Sequence, residues 1–448
     1  MPNFDIRNKI TPMNNKQVIV VGAGMAGIMA TRTLQAAGVD VLCVEGRERV
    51  GGRTHTDQSL GVSVDMGASW IHGPIGNPLT PLADEFEIGY GATDFLNHSG
   101  TAVQAFDADG TPLDMVEYGK GQALAQAGFS VISSSLLYPL PSIVRSLKDL
   151  IEHGLPLPET MSRSMAMGAH YWSVVRSQFS DASDWELMDV TLSGYVKLPG
   201  EDLLLYGGGF NGMTNRLAQG LDIRTGVIVE RIVHGDAGVM VATNQGTFHA
   251  DQVVVTVPLS ILKAKAIVFE PALPAVKVGA IGRIGFGNYE KLWMRFDKFY
   301  WPQTCQRFNY LADAADGEPE LFQAWLNHGY YSGEPVICSF HAGKRAQFVN
   351  QWSDDELLER TLEAMSRIFG DVPAPIAYTR SGWQQDPFSR GSYSYNRVGQ
   401  QAGDRDRLRQ SIDQRVFFAG EATHPTYYAT VHGAYETGIR AALDILQS

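Results

Sequence analysis

The sequence predicts an α/β protein in which two domains, each assembled from discontinuous pieces, are interleaved. Three observations carry that prediction. A strand–turn–helix–strand run opens the chain: Gln17-Val18-Ile19-Val20-Val21, a glycine-rich turn, a helical stretch stopping at Gly38, then Val39 to Val44. Glycine-rich segments of the same style return in the middle, at Gly207-Gly208-Gly209, and at the end, at Ala419-Gly420-Glu421. Two stretches of different texture interrupt them. One domain is therefore expected from 16–95, 203–283 and 398–448, the other from 96–202 and 284–397, with 1–15 a flexible tail.

Each element has a local reason. The run 17–21 is short, apolar and β-branched, the pattern of a strand buried on both faces. Gly22-Ala23-Gly24-Met25-Ala26-Gly27 supplies the turn, and Gly38 suits the left-handed residue that closes a helix. Val39 to Val44 is a second buried strand and ends on Glu45. Helices are expected over Pro141–His153 and Met161–Gln178, and a short one over Met213–Gly220. Strands are expected over Asp222–Arg231, Val239–Thr243, Gln252–Val257, Asn288–Phe299 and Val336–His341. Ser353-Asp354-Asp355-Glu356 reads as a capping box that opens a helix to Phe369. Arg415 to Phe418 is a last strand, and Val431 to Leu446 a last helix.

Composition narrows the function classes. A chain of 448 residues, 44% hydrophobic, can bury a sizeable core, which excludes a disordered or collagen-like protein. The formal net charge of −12 argues against a nucleic-acid partner and suits cationic ligands. Cys43, Cys305 and Cys338 are far apart and form no CxxC, so neither a metal site nor a dithiol centre is expected. They read as buried small hydrophobes in a reducing compartment, the cytoplasm. No apolar run reaches the ~18 residues of a membrane span, and Met1 to Lys16 carries no signal-peptide pattern.

The first turn is a GxGxxG with Gly22, Gly24 and Gly27, placed after a strand and opening a helix. Glu45 ends the following strand. That context is what a Rossmann-like dinucleotide site requires. Glycines admit a pyrophosphate to the backbone, the helix start offers N–H groups, and the acid takes ribose hydroxyls. A second literal GxGxxG, at Gly207, Gly209 and Gly212, would suggest a nicotinamide site. Its helix is too short for a parallel crossover, so the favoured reading is a tight turn beside a ligand.

Just past Glu45 the chain reads Arg49-Val50-Gly51-Gly52-Arg53-Thr54. Further on come Gly67-Ala68-Ser69-Trp70-Ile71-His72-Gly73, Thr256-Val257-Pro258-Leu259 and Trp383 with Asp386-Pro387-Phe388-Ser389-Arg390-Gly391-Ser392-Tyr393. Phe418-Ala419-Gly420-Glu421-Ala422-Thr423 and Val431-His432-Gly433-Ala434 close the series. In this order the segments resemble the flavin-containing amine oxidase superfamily. His72 in Trp70-Ile71-His72-Gly73, with Gly76-Asn77-Pro78 behind it, resembles polyamine oxidases of the spermine-oxidising type.

The resemblance implies an FAD-binding domain interleaved with an α+β substrate domain, and extended, non-covalent FAD. Gly22, Gly24, Ala26 and Gly27 would cradle the pyrophosphate, and Glu45, with Gly46 beside it, the ribose. Arg47, Gly52 and Arg53 would lie near the phosphates, although a solvated Arg47 fits the sequence nearly as well. Gly67, Ala68, Ser69 and Trp70 would pass under the ring, Val229 would hold the adenine, and Val257 would adjoin the cofactor. Gly420, Glu421, Thr430 and Val431 would contact the ribityl chain and ring. Covalent attachment would need a cysteine where Ser392 stands.

The implied reaction oxidises an amine C–N bond with O2 to imine or aldehyde, amine and H2O2. Lys291 is the foremost catalytic candidate, beside His72, Tyr393 and Trp383; an edge-strand lysine facing solvent is the structural alternative. Tyr393, His72, Thr430 and Tyr428 would meet the substrate, a small cationic amine, most simply spermine or spermidine. An oxidase of another amine, a flavin-dependent NAD(P)H reductase and a non-catalytic FAD-binding protein remain as alternatives.

Overall fold

A computed structural model of the chain describes residues 13–95, 97, 99–134, 162–171, 198–311 and 321–448. The expected helix Pro141–His153, most of Met161–Gln178 and residues 1–12 of the expected tail lie outside the described residues.

The fold is mixed α/β. Among the described residues the largest sheet has eight strands. Met13–Val21 pairs in parallel with Val41–Val44 on one side and Gly246–Val255 on the other, and Val416–Phe418 adds in parallel to the end of Gly246–Val255. Ile223–Arg224 continues the sheet beyond Val41–Val44, while Val229–Gly235 and Gly238–Thr243 form an antiparallel run beside Gly246–Val255. The β-branched run explains this position. Ile19 and Val21 pack on one side with Leu42, Val44 and Val255, and Val18 and Val20 on the other with Ala26, Ala30 and Leu34. The helix Met25–Ala36 lies against the final helix Val431–Leu446 through small residues. A Cβ on Gly438 would stand 2.2 Å from the Ala26 carbonyl oxygen, so glycine sets how close the two helices come.

Three expectations about elements are corrected. The first strand begins at Met13, because Met13 and the polar residues 14–16 follow the long Gly246–Val255 strand; residues 13–15 of the expected tail are thus part of the sheet. Asp222–Arg231 is two strands, parted by a turn at Gly226, φ +69°. The helix of the second GxGxxG runs over Gly209–Ala218, four residues earlier than expected.

A second sheet of six strands takes Val103–Asp107, Tyr289–Arg295, Arg307–Leu311, Ala324–Asn327, Val336–Ala342 and Ala377–Arg380. Its core holds Leu292, Met294, Phe308, Trp325 and Ile337, covered by the helix Asp354–Phe369, whose N-cap Ser353 accepts from Glu356 N at 3.2 Å. Trp70–Ile71, Asp202–Gly207 and Gly89–Thr93 form a three-stranded sheet, and Gly285–Gly287 pairs with Tyr393–Tyr395. Among the described residues no helix is long and apolar enough to cross a membrane, and no His, Cys, Asp and Glu cluster can hold a metal.

Candidate active site

The fingerprint turn is built as its glycines require. Gly22 has φ +102°, and a Cβ on Gly27 would lie 1.8 Å from the Gly22 carbonyl oxygen. The helix that follows has Gly24 at its N-cap, no side-chain cap and no acid in its first turn. Its leading N–H groups are therefore open to an anion. Gly51 (φ +93°) and Gly52 (φ +59°) come against Gly24, so a second glycine turn faces the first. Glu45 is buried at the strand end; its carboxylate accepts from Ala23 N at 2.8 Å and Arg47 N at 2.9 Å. Each oxygen keeps a second lone pair for a hydroxyl. Val227 N bonds the Glu45 carbonyl at 2.8 Å, which brings Val229, two residues on, to this end of the sheet. Gly46 has no room for a side chain: a Cβ there would be 2.6 Å from the Phe388 ring.

The two arginines are anchored. Arg47 is neither solvated nor left free: its guanidinium donates to Asp386 Oδ1 at 2.5 Å and Ser389 Oγ at 2.7 Å, over the Phe388 ring. Arg53 donates to the Ser392 carbonyl at 2.7 Å and to Glu421 Oε1 at 3.0 Å. Glu421 Oε2 also accepts from Ser394 Oγ at 2.6 Å and Ala429 N at 2.8 Å. Burial alone would raise this carboxyl; Arg53, Ser394 and Arg405 outweigh it and hold the pKa below the ordinary value. Arg53, Val257, Pro258, Gly420 and Glu421 line a crevice at the carboxyl ends of Gly246–Val255 and Val416–Phe418. That is where ligands bind in open α/β sheets.

The segment 65–70 is held from below. Lys291 is 3% exposed on an interior strand of the second sheet, which excludes the solvent-facing alternative. Its ammonium donates to the Asp65 carbonyl at 2.9 Å, the Gly67 carbonyl at 2.6 Å and Ser69 Oγ at 2.6 Å. All three N–H bonds are thereby used. Burial pushes its pKa down to about 8. Trp383 Nε1 donates to the Met66 carbonyl at 2.9 Å, and a Cβ on Gly67 would meet the Arg53 carbonyl oxygen at 1.8 Å. Ala68 N reaches the same carbonyl at 3.3 Å.

From this segment an aromatic wall extends. Tyr393 neighbours Tyr289, Tyr289 neighbours Phe340, Phe340 neighbours Trp70 and Trp70 neighbours Phe95, with ring centroids 5.6 to 6.2 Å apart. The other expected substrate residues each have partners within the protein. Thr430 caps the last helix, accepting from Gly433 N at 3.0 Å and donating to the Tyr427 carbonyl at 2.6 Å; Val431 is that helix's first residue. Tyr428 is buried, with Arg405 3.8 Å from its ring centroid and its hydroxyl accepting from Asn396 Nδ2 at 3.1 Å. His72 pairs with Asp202 at 2.8 Å.

Sequence reasoning missed Asp65, Glu290 and Arg405. Asp65 is buried and accepts from Phe210 N at 3.2 Å, while Thr56 Oγ1 accepts from Asn211 N at 3.0 Å. The start of the second GxGxxG helix is therefore occupied by the protein's own carboxylate. Burial lifts the pKa of Asp65 to about 7. Glu290 accepts from Ser381 Oγ at 2.5 Å, Trp383 N at 3.2 Å and Gln384 N at 3.1 Å, fixing the turn that carries Trp383. A charged residue next to Lys291 on a strand was the one signal that pointed to Glu290.

This chain belongs to the flavin containing amine oxidoreductases: the family's sequence model matches residues 25–446. Its cofactor is FAD, and the uncapped helix start, the facing glycine turns and the crevice beside Glu421 suit that group. The chain is 36% identical to polyamine oxidase 2 of Arabidopsis thaliana, over 95% of this chain and 87% of that protein. It is 34% identical to polyamine oxidase 4 of Oryza sativa subsp. japonica, with the same coverage. It is also 33% identical to lysine-specific histone demethylase 1 homolog 2 of Arabidopsis thaliana, over 96% of this chain and 58% of that protein.

Proposed function

We propose that the chain is a polyamine oxidase with non-covalent FAD. The observation that carries the substrate class is the aromatic wall from Tyr393 to Phe95, which offers apolar contact to the methylene segments of a long amine. The similarity to two plant polyamine oxidases supports it. We also propose the domain division given by the sequence: a Rossmann-like FAD domain from 16–95, 203–283 and 398–448, and an α+β substrate domain from 96–202 and 284–397.

FAD, when bound, supplies the acceptor for the two electrons of C–N oxidation. The chain's own residues position and shield. The helix start at Gly24 and the turns at Gly51 and Gly52 take the phosphates, and Glu45 the ribose. Lys291 and Trp383 hold the segment 65–69 in one geometry, and Gly67–Trp70 would adjoin the flavin. Tyr393 and Tyr289 exclude water from the reacting end. His72 accepts a hydrogen bond from a substrate nitrogen. Ser392, whose hydroxyl bonds the Tyr289 backbone on both sides at 2.8 and 3.0 Å, offers no thiolate for attachment.

Similarity to a histone demethylase homologue favours a second reading, oxidation of a methylated lysine side chain. Anaerobic mixing of the yellow protein with spermine, spermidine, benzylamine, a dimethyl-lysine peptide and NADH separates the readings. Bleaching by the two polyamines is expected; bleaching by the peptide alone would favour the second reading, and by NADH alone a reductase. Acid precipitation should leave the flavin in solution.

A further inference from the structure

Strands Trp70–Ile71 and Asp202–Gly207 pair antiparallel, with Trp70 opposite Leu204 and Ile71 opposite Leu203. One more step of the same register puts His72 opposite Asp202, and the two side chains meet there. Asp202 is buried; its Oδ1 accepts from Gly73 N at 2.9 Å, and its Oδ2 lies 2.8 Å from His72 Nδ1. The backbone around His72 is fixed on its other side as well. Asn77 Nδ2 donates to the His72 carbonyl at 3.0 Å, and Gly73 turns at φ +62°, where a Cβ would be 2.0 Å from the Leu198 carbonyl oxygen.

An ionised carboxylate can only accept, so the hydrogen of this contact is carried by His72 Nδ1. In a neutral imidazole the other nitrogen is then a bare acceptor. The His72 side chain is 38% exposed, and among the described residues Nε2 makes no hydrogen bond. We propose that Asp202 is the positioning residue of this site: it fixes His72 as the Nδ1–H tautomer and presents Nε2 as the acceptor for a protonated or neutral nitrogen of the substrate. The last step rests on the polyamine reading; the tautomer does not.

The test uses the FAD-loaded enzyme with ring-15N-labelled histidine. The His72 signal is assigned by its loss in His72→Ala and read at a pH where the ring is neutral. Wild type is expected to show Nδ1–H with a bare Nε2. Asp202→Ala should release the ring toward the Nε2–H form. Asp202→Asn, which keeps an acceptor for Gly73 N, serves if the alanine variant loses flavin. With spermine, Asp202→Ala should lower kcat/KM by roughly tenfold to a hundredfold, the scale on which removing a carboxylate that orients a working imidazole acts. Adding His72→Ala to it should cost nothing further, because the two residues act as one unit. An Nε2–H ring in wild type would overturn the proposal, as would fully additive losses. Wild type reduced by another amine but not by spermine would refute the substrate reading alone, while the tautomer still decides the role of Asp202.

Discussion

Lys291 was legible as a candidate because a cation in an apolar strand needs a reason to be there; what it touches was not. Its three acceptors come from 65–69, more than 220 positions away in sequence, and only folding brings them together. That geometry changes what Lys291→Met should do. It removes the donor from the partly buried Gly67 carbonyl and the shortest donor from the buried Asp65 carbonyl, which keeps only Ser69 Oγ at 3.4 Å, and it takes a partner from the Ser69 hydroxyl, at about 1–3 kcal/mol for each group stranded. Both thermal stability and the rate of flavin reduction or reoxidation should fall, the first read by melting and the second by stopped flow. Unchanged melting and unchanged half-reactions would remove Lys291 from the account. Glu45→Ala carries a double cost for the same reason: it removes the proposed ribose partner and strips Ala23 N and Arg47 N of their acceptor. Flavin affinity should drop by roughly 1.5–3 kcal/mol, the worth of a charge-assisted hydrogen bond. Titration of the apoprotein with FAD measures it, and wild-type affinity in the variant would reject the placement of Glu45.

Elements with a strong local pattern could be read from the chain alone. The strand at Val18–Val21, the helix after it and the final helix have unmixed periodicity and glycine punctuation. Two of the six strands of the second sheet, Tyr289–Arg295 and Val336–Ala342, were legible. Arg307–Leu311 and Ala324–Asn327, both buried, and the half-buried Ala377–Arg380 are short runs of four or five residues whose pattern does not tell strand from helix. The strand start at Met13 was hidden because a polar segment is recruited by the length of its partner. Packing of the two helices rests on Gly438. Gly438→Ala would drive a methyl against the Ala26 carbonyl, and overpacking of this kind costs about 1–3 kcal/mol. Because the final helix begins at Val431, the variant should also release flavin more readily. Gly235→Ala, where a Cβ meets nothing within 4 Å, is the control. Equal melting temperatures for the two would contradict this packing.

At the scale of the whole molecule, acid should unfold the protein through buried histidines. Burial pushes His328 down to about 4 and His341 and His432 to about 3, against 6.5 when exposed. Between those values the unfolded chain binds more protons than the native one, so stability rises with pH and falls on acidification below about 6.5. Asp65, raised to about 7, works the other way between 3.8 and 7. These four groups alone leave a net of about two protons, or ~3 kcal/mol per pH unit, and His55 and His424, also pushed down by burial, act in the same direction. Glu421, held below 4.5, adds a further loss as pH falls through its depressed pKa. Melting temperatures that stay flat from pH 7 to 4.5 would contradict this balance.

The aromatic wall, the acidic chain and the Asp202–His72 pair converge on one claim: binding energy from the far end of a long amine orients the carbon that reacts. Anaerobic stopped-flow reduction of the FAD enzyme by spermine, spermidine and benzylamine tests it most directly. The polyamines should exceed benzylamine in second-order reduction rate by at least ~100-fold, about 2.7 kcal/mol of transition-state binding. Equal or faster reduction by benzylamine, or no bleaching by either polyamine, would contradict it.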